Sequence, residues 1–225
     1  MPKPATSNSE FTTDEFDPLA VENVGVTLAV ELLQQPTVDF PPSVPFKGAG
    51  VYALYYTGDN PAYAPLVALD DGQCRYPVYV GRAQRENLNQ GFNPRPSTKG
   101  ELFKRIKKHF ESVRQTQNVD PAHFKVRYLV LKPAYISLAE AVLIMAFRPP
   151  WNGMGLGSNV TGGIRMAGKG SLWDSLHPGR KGRPAGSEDT ARAAAELIKR
   201  RVAELHEPSS DPIIHRMYER IMRFT

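Results

Sequence analysis

Gly50-Val51-Tyr52-Ala53-Leu54-Tyr55-Tyr56-Thr57 is an unbroken apolar and aromatic run, closed by Gly58-Asp59-Asn60-Pro61. A short run of this kind, bounded by turn residues, reads as a buried strand. Tyr76 to Gly81 reads as a second strand, with residues 62–75 between them as an insertion. The two strands can then pair as a hairpin with an elaborated tip. Residues 83–99 hold three Asn, two Gln, two Pro and Gly91, the composition of a long loop. Such a loop inside a compact domain is usually functional or disordered.

Outward from this hairpin the periodicity changes. Leu102, Phe103, Ile106, Phe110 and Val113 recur on one helical face, which predicts a helix over 101–116. Phe124 to Leu131 alternate as a third strand. Ser137 to Phe147 form a helix that is apolar nearly all round and stops at Pro149-Pro150. The order strand, strand, helix, strand, helix predicts an α+β fold. Residues 153–187 read as Gly-rich basic loops, 188–206 as a helix, and Asp211 to Phe224 as a short helix with Pro212 in its first turn. At the other end, 1–16 reads as a disordered arm and 18–34 as a helix in preference to a strand, followed by a four-proline extended linker at 36–48. The expected division is an arm at 1–47, a core at 48–155 with insertions at 59–75 and 83–99, and a basic loop region with C-terminal helices at 156–225.

The formal charge of +5 is unevenly spread. Residues 1–47 hold two lysines against seven acids, a net of −5, which leaves +10 on the rest. A basic body suits a polyanionic partner, because lysine and arginine release counterions from phosphates. A solvated basic surface without a partner would look the same. The single cysteine, Cys74, excludes an intrachain disulfide and a cysteine-rich metal site. No apolar run reaches membrane-spanning length, and the polar N-terminus is unlike a secretory signal. The expectation is a soluble, cytoplasmic protein.

Glu140 is the sharpest local anomaly, since it sits in Leu-Ala-Glu-Ala-Val-Leu-Ile-Met-Ala with almost no polar face around it. A buried carboxylate needs a cation, a metal or a hydrogen-bond donor. Arg105 and His109, four residues apart, lie on one side of their helix at the border of its apolar stripe. They can face a cleft, or snorkel with Lys104, Lys107 and Lys108 as a basic helix face. Tyr52 and Tyr79 fall on neighbouring strands, where packing tyrosines are common. Asn152 follows Trp151 twelve residues after Glu140, where a helix-ending turn would also place it.

Together these residues resemble the GIY-YIG nuclease superfamily. Its first motif is matched by Gly50-Val51-Tyr52 and its second by Tyr79-Val80-Gly81, followed by Arg82. Its helical Arg and next-turn His are matched by Arg105 and His109, its metal-binding Glu by Glu140, and its closing Asn by Asn152. Six matches in order carry weight that each tripeptide lacks. The run Gly48 to Gly58, Trp173-Asp174 and His177-Pro178-Gly179-Arg180 extend the likeness to the stand-alone type II restriction enzymes of this superfamily, which cut a palindrome resembling CCGCGG. The chain departs from minimal members in two long spacings, 27 positions from Tyr52 to Tyr79 and 26 from Tyr79 to Arg105.

The resemblance implies a small antiparallel sheet flanked by helices, and site-specific hydrolysis of both strands of duplex DNA. It assigns one Mg²⁺ per site to Glu140, a phosphate clamp to Arg105 and the general base to Tyr52. His109 would orient or deprotonate that phenol, and Tyr79 would hydrogen-bond the phosphate or water. Asn152 would brace Glu140 or the cleft, and Arg82 is a candidate second cation near the base. A homodimer, with the 18–34 segment as a candidate dimer or wrapping element, would cut both strands. Host DNA would be protected by a cognate methyltransferase. DNA contacts are expected from Arg85, Asn87, Asn89, Gln90, Asn93 and Arg95, and from Lys108, Arg165, Lys169 and Arg180. A repair or homing nuclease of the same superfamily, or a non-catalytic basic DNA-binding protein, are the other readings. Cleavage at one short site of unmodified duplex would separate restriction from repair.

Overall fold

The computed structural model describes residues 16–84, 97–156, 170–184, 186–206 and 209–224. Its centre is a four-stranded antiparallel sheet in the order β1-β4-β2-β3. The strands are β1 (Val38–Asp39), β2 (Gly50–Tyr56), β3 (Tyr79–Ala83) and β4 (Phe124–Val130). Every residue of β2 is buried, because this central strand is covered on both faces. That is why its sequence is apolar throughout instead of alternating.

Two cores result. Tyr52, Leu54, Tyr56, Tyr79 and Val126 point to one face, where α3 (Glu101–Arg114) and α6 (Glu188–His206) close the layer. Val51, Ala53, Tyr55 and Val80 point to the other, covered by α1 (Val21–Gln34), α4 (Pro133–Phe147) and α7 (Pro212–Arg223). Burial of each large aliphatic or aromatic side chain contributes roughly 1.5–3 kcal/mol. α1 comes close to α4 at Gly25, where a Cβ would stand 2.6 Å from Val142 Cγ1. Glycine costs a helix about 1 kcal/mol, offset here by that approach.

The helix over 18–34, both strands of the hairpin, the third strand and the helices at 101–116, 188–206 and 211–224 stand within a few residues of their expected bounds. Elsewhere the structure differs. The linker at 36–48 contributes β1, which pairs with β4 through Val38 and Asp39. Two residues of pairing leave no periodicity to read. The insertion after β2 is folded, with a 3-10 turn at Pro61–Tyr63 running into α2 (Ala64–Asp70). The Gly-rich stretch contains α5 (Leu172–Leu176), whose Ser171 caps the Asp174 amide. α4 starts at Pro133, earlier than expected, since proline is tolerated in the first turn. The apolar face of α1 packs on α4 and α7 of its own chain, so that face is not free to form a dimer. Among the described residues, no helix is long and apolar enough to cross a membrane.

Candidate active site at the free edge of β3

β3 is an edge strand, and the candidate site straddles it. Tyr79 and Gly81 face α3, while Val80 and Arg82 face α4. Antiparallel register sets Tyr52 directly opposite Gly81. A Cβ at position 81 would stand 2.6 Å from the Tyr52 hydroxyl and 2.8 Å from Tyr79 Cε1. Glycine is required there because the Tyr52 ring crosses over the backbone.

On the α3 face three rings meet. Tyr52 and Tyr79 are 6.1 Å apart by ring centroids, and His109 lies 5.7 Å from Tyr52 and 5.2 Å from Tyr79. The α3 stripe of Leu102, Ile106 and Val113 is anchored in the core, which carries His109 inward and leaves Arg105 at the border. Among the described residues, the Tyr52 hydroxyl and both His109 ring nitrogens are buried without a well-formed hydrogen bond. The Tyr52 hydroxyl instead interacts with Arg105 and Tyr79, and the two His109 nitrogens are left without a partner among those residues.

Burial raises the Tyr52 phenol well above its ordinary value. Tyr79 adds to this, and the Arg105 charge only partly offsets it. The expectation that nearby cations make Tyr52 a phenolate is therefore not met in the free protein. Burial also raises Tyr79, again opposed by Arg105. His109 is driven down to about 3 by burial, helped by the positive charges of Arg105, Arg180 and Lys108. It is a neutral imidazole with a lone pair to offer.

On the α4 face Glu140 Oε2 forms an ion pair with Arg82 Nε at 3.0 Å, and Arg82 Nη1 donates to Ser137 Oγ. Burial raises the Glu140 carboxyl, against the lowering effects of Arg82 and Arg105. The cation anticipated for this carboxylate is Arg82, which lines the same cleft as Tyr79 and Arg105. The two faces communicate around the edge through a cleft of about 670 Å³. Tyr79, Arg82, Arg105, Lys108 and Glu140 all line it, with Glu101 and Lys104 at its wall.

Asn152 does not reach Glu140. Its Oδ1 accepts from Val80 N at 2.9 Å, and its Nδ2 donates to Val80 O at 2.8 Å. The amide thus pairs with β3 as another strand would and blunts its open edge. Arg180 also departs from expectation as a DNA contact. Its guanidinium holds Asp174 Oδ1 at 2.7 and 2.6 Å, donates to Leu156 O at 3.2 Å and covers the Trp173 ring at 4.8 Å. Both partners are buried, and breaking such a pair costs about 3–5 kcal/mol. Lys108 is exposed at the cleft. Arg85, Asn87, Asn89, Gln90, Asn93, Arg95, Arg165 and Lys169 lie outside the described residues.

Sequence reading missed a second buried network. Trp151 Nε1 donates to Tyr63 Oη at 2.7 Å, Tyr63 Oη meets His177 Nε2, and His177 Nδ1 meets Asn118 Oδ1 at 2.8 Å. It ties the insertion to the loop after α5. His177 is held neutral by burial, with its pKa near 3. Its place in His177-Pro178-Gly179-Arg180 was visible, but not its partners.

Two carboxylates, Glu101 and Glu140, line the cleft. Among the described residues, no three His, Cys, Asp or Glu side chains gather into a cage. Glu140 offers one carboxylate beside cations suited to phosphate. That donor set suits a hard cation that keeps most of its water and takes phosphate oxygens as further ligands.

The model of the family described as the Eco29kI GIY-YIG domain matches residues 44–206, more than half of the chain. No curated protein matches it. The matched span covers the whole sheet except β1, together with α3, α4, α5 and α6, and thus every residue placed at the cleft above. The chain therefore belongs to the GIY-YIG restriction endonuclease family, and its domain is that of a nuclease acting on DNA.

Proposed function

We propose that this chain is a type II restriction endonuclease, hydrolysing both strands of duplex DNA at a short GC-rich palindrome resembling CCGCGG. The observation that supports the reading is the meeting of Tyr52, Tyr79 and His109 beside Arg105, next to a cleft lined by Glu101, Glu140 and several cations. A pure DNA-binding protein has no use for that arrangement.

In this reading Arg105 holds the scissile phosphate from the cleft border, as guanidinium forks do. Tyr79 donates a hydrogen bond to the same phosphate. Tyr52 would remove a proton from the attacking water once the cations gathered with bound DNA favour its phenolate, with the neutral His109 orienting its ring. The water oxygen forms the new bond to phosphorus as the bond to the leaving oxygen breaks, and that oxygen takes its proton from solvent in the open cleft. Glu140 would hold one Mg²⁺, which when bound supplies charge neutralisation at phosphorus and lowers the pKa of nearby water. Arg82 keeps the Glu140 carboxylate ionised and pointed at the cleft until then. A homodimer would bring one such cleft to each strand, and a cognate methyltransferase would protect host DNA.

Digestion of plasmid DNA with Mg²⁺, followed by sequencing of the ends, tests the reading. Discrete fragments that all end at one short palindrome are expected. Cleavage confined to flaps or lesions, or none at all, would overturn it.

A further inference from the structure

Arg201 lies on α6, remote in sequence from every residue at the cleft. Its Nη1 donates to Pro150 O at 2.7 Å and to Asn152 O at 2.7 Å. Both carbonyls belong to the turn after α4. That turn serves as a further strand for β3, since Trp151 N donates to Val78 O at 2.9 Å and the Asn152 amide pairs with Val80 on both sides. Val80 stands between Tyr79 and Gly81, the two residues that touch the Tyr52 ring from β3.

The helix that carries Arg201 is itself fixed. Ile198, Val202 and Leu205 flank it on the same side of α6 and are buried in the α3-side core. A half-buried guanidinium anchored this way resists displacement of the turn. Loss of its donors would leave two carbonyls to find others.

We propose that Arg201 is a positioning residue of the nuclease site, acting through Asn152 to hold β3 so that Tyr79 and Gly81 keep their places against Tyr52. This rests on the nuclease reading above. The test combines single-turnover cleavage by Arg201→Met, Asn152→Ala and the double variant with amide hydrogen exchange at Val80. Arg201→Met should slow cleavage about ten- to a hundredfold at unchanged DNA affinity. It should also speed exchange at Val80, and the double variant should be no slower than Asn152→Ala alone. Arg201→Lys, which keeps donors at that place, should recover much of the rate and the protection. Multiplied losses in the double variant, or unchanged exchange at Val80 in Arg201→Met, would overturn the proposal. The exchange measurement needs no activity, so a wild-type chain that cuts nothing would refute the nuclease reading while Val80 still decided the role of Arg201.

Discussion

At the scale of single residues, the site brings together groups whose charges are arranged by burial more than by pairing. Glu140 pairs with a direct cation, Arg82 at 3.0 Å, and both line the cleft. Glu140→Ala should lower Mg²⁺-dependent cleavage by at least about a hundredfold, with DNA binding in a gel-shift assay retained. A variant that cuts at the wild-type rate would remove Glu140 from the metal role. The residue types of this site were visible in the sequence, because a carboxylate in an apolar helix and a cation at the border of an apolar stripe both violate local patterning. Their partners were not. Arg82 follows Gly81, the register partner of Tyr52, and only alternation across β3 turns it to the Glu140 face. Arg201 gave a faint signal of the same kind as Arg105, a cation beside an apolar helical stripe, but its two acceptors are backbone carbonyls that no sequence pattern marks.

At the scale of elements, the hairpin of β2 and β3 sets the chemistry by forcing the Tyr52 ring across Gly81. Gly81→Ala would put a methyl group 2.6 Å from the Tyr52 hydroxyl. Overpacking of that kind costs about 1–3 kcal/mol. A lower melting temperature is expected, together with a loss of activity larger than the lost stability explains. Normal cleavage by this variant would mean that the ring need not cross the strand. The long aromatic strand and the amphipathic α3 were legible because their periods differ plainly. β1 and α2 were not, since two residues of pairing and one short helix inside an apparent insertion carry too few positions to show a period. The edge-covering role of Asn152 was also hidden, because it depends on which strand ends the sheet.

At the scale of the whole molecule, two buried neutral histidines make stability depend on pH. His109 and His177 fall from 6.5 to about 3 on burial. Depressed values mean that their contribution is intact above pH 6.5 and is lost as pH falls toward about 3. In that window each costs up to about 1.4 kcal/mol per pH unit. Melting temperatures should therefore drop steeply below pH 6.5, and His177→Asn should flatten the drop. An equally steep drop in that variant would count against the burial argument. The basic body shows itself in the exposed lysines of α3, Lys104, Lys107 and Lys108. Replacing Lys104 and Lys107 by Gln should each reduce the salt dependence of DNA binding by about 0.9 in log–log slope. An unchanged slope would place the duplex away from α3.

All three scales converge on the Tyr52 hydroxyl, which the fold buries beside Tyr79, Arg105 and His109. Tyr52→Phe removes only that oxygen and keeps the buried ring, so the melting temperature should change little. The most direct measurement is the single-turnover rate of duplex cleavage by Tyr52→Phe at saturating Mg²⁺. A fall of about a hundredfold or more, with melting temperature and DNA affinity preserved, is the expected result. A rate near that of the wild-type chain would show that the buried phenol does not activate water.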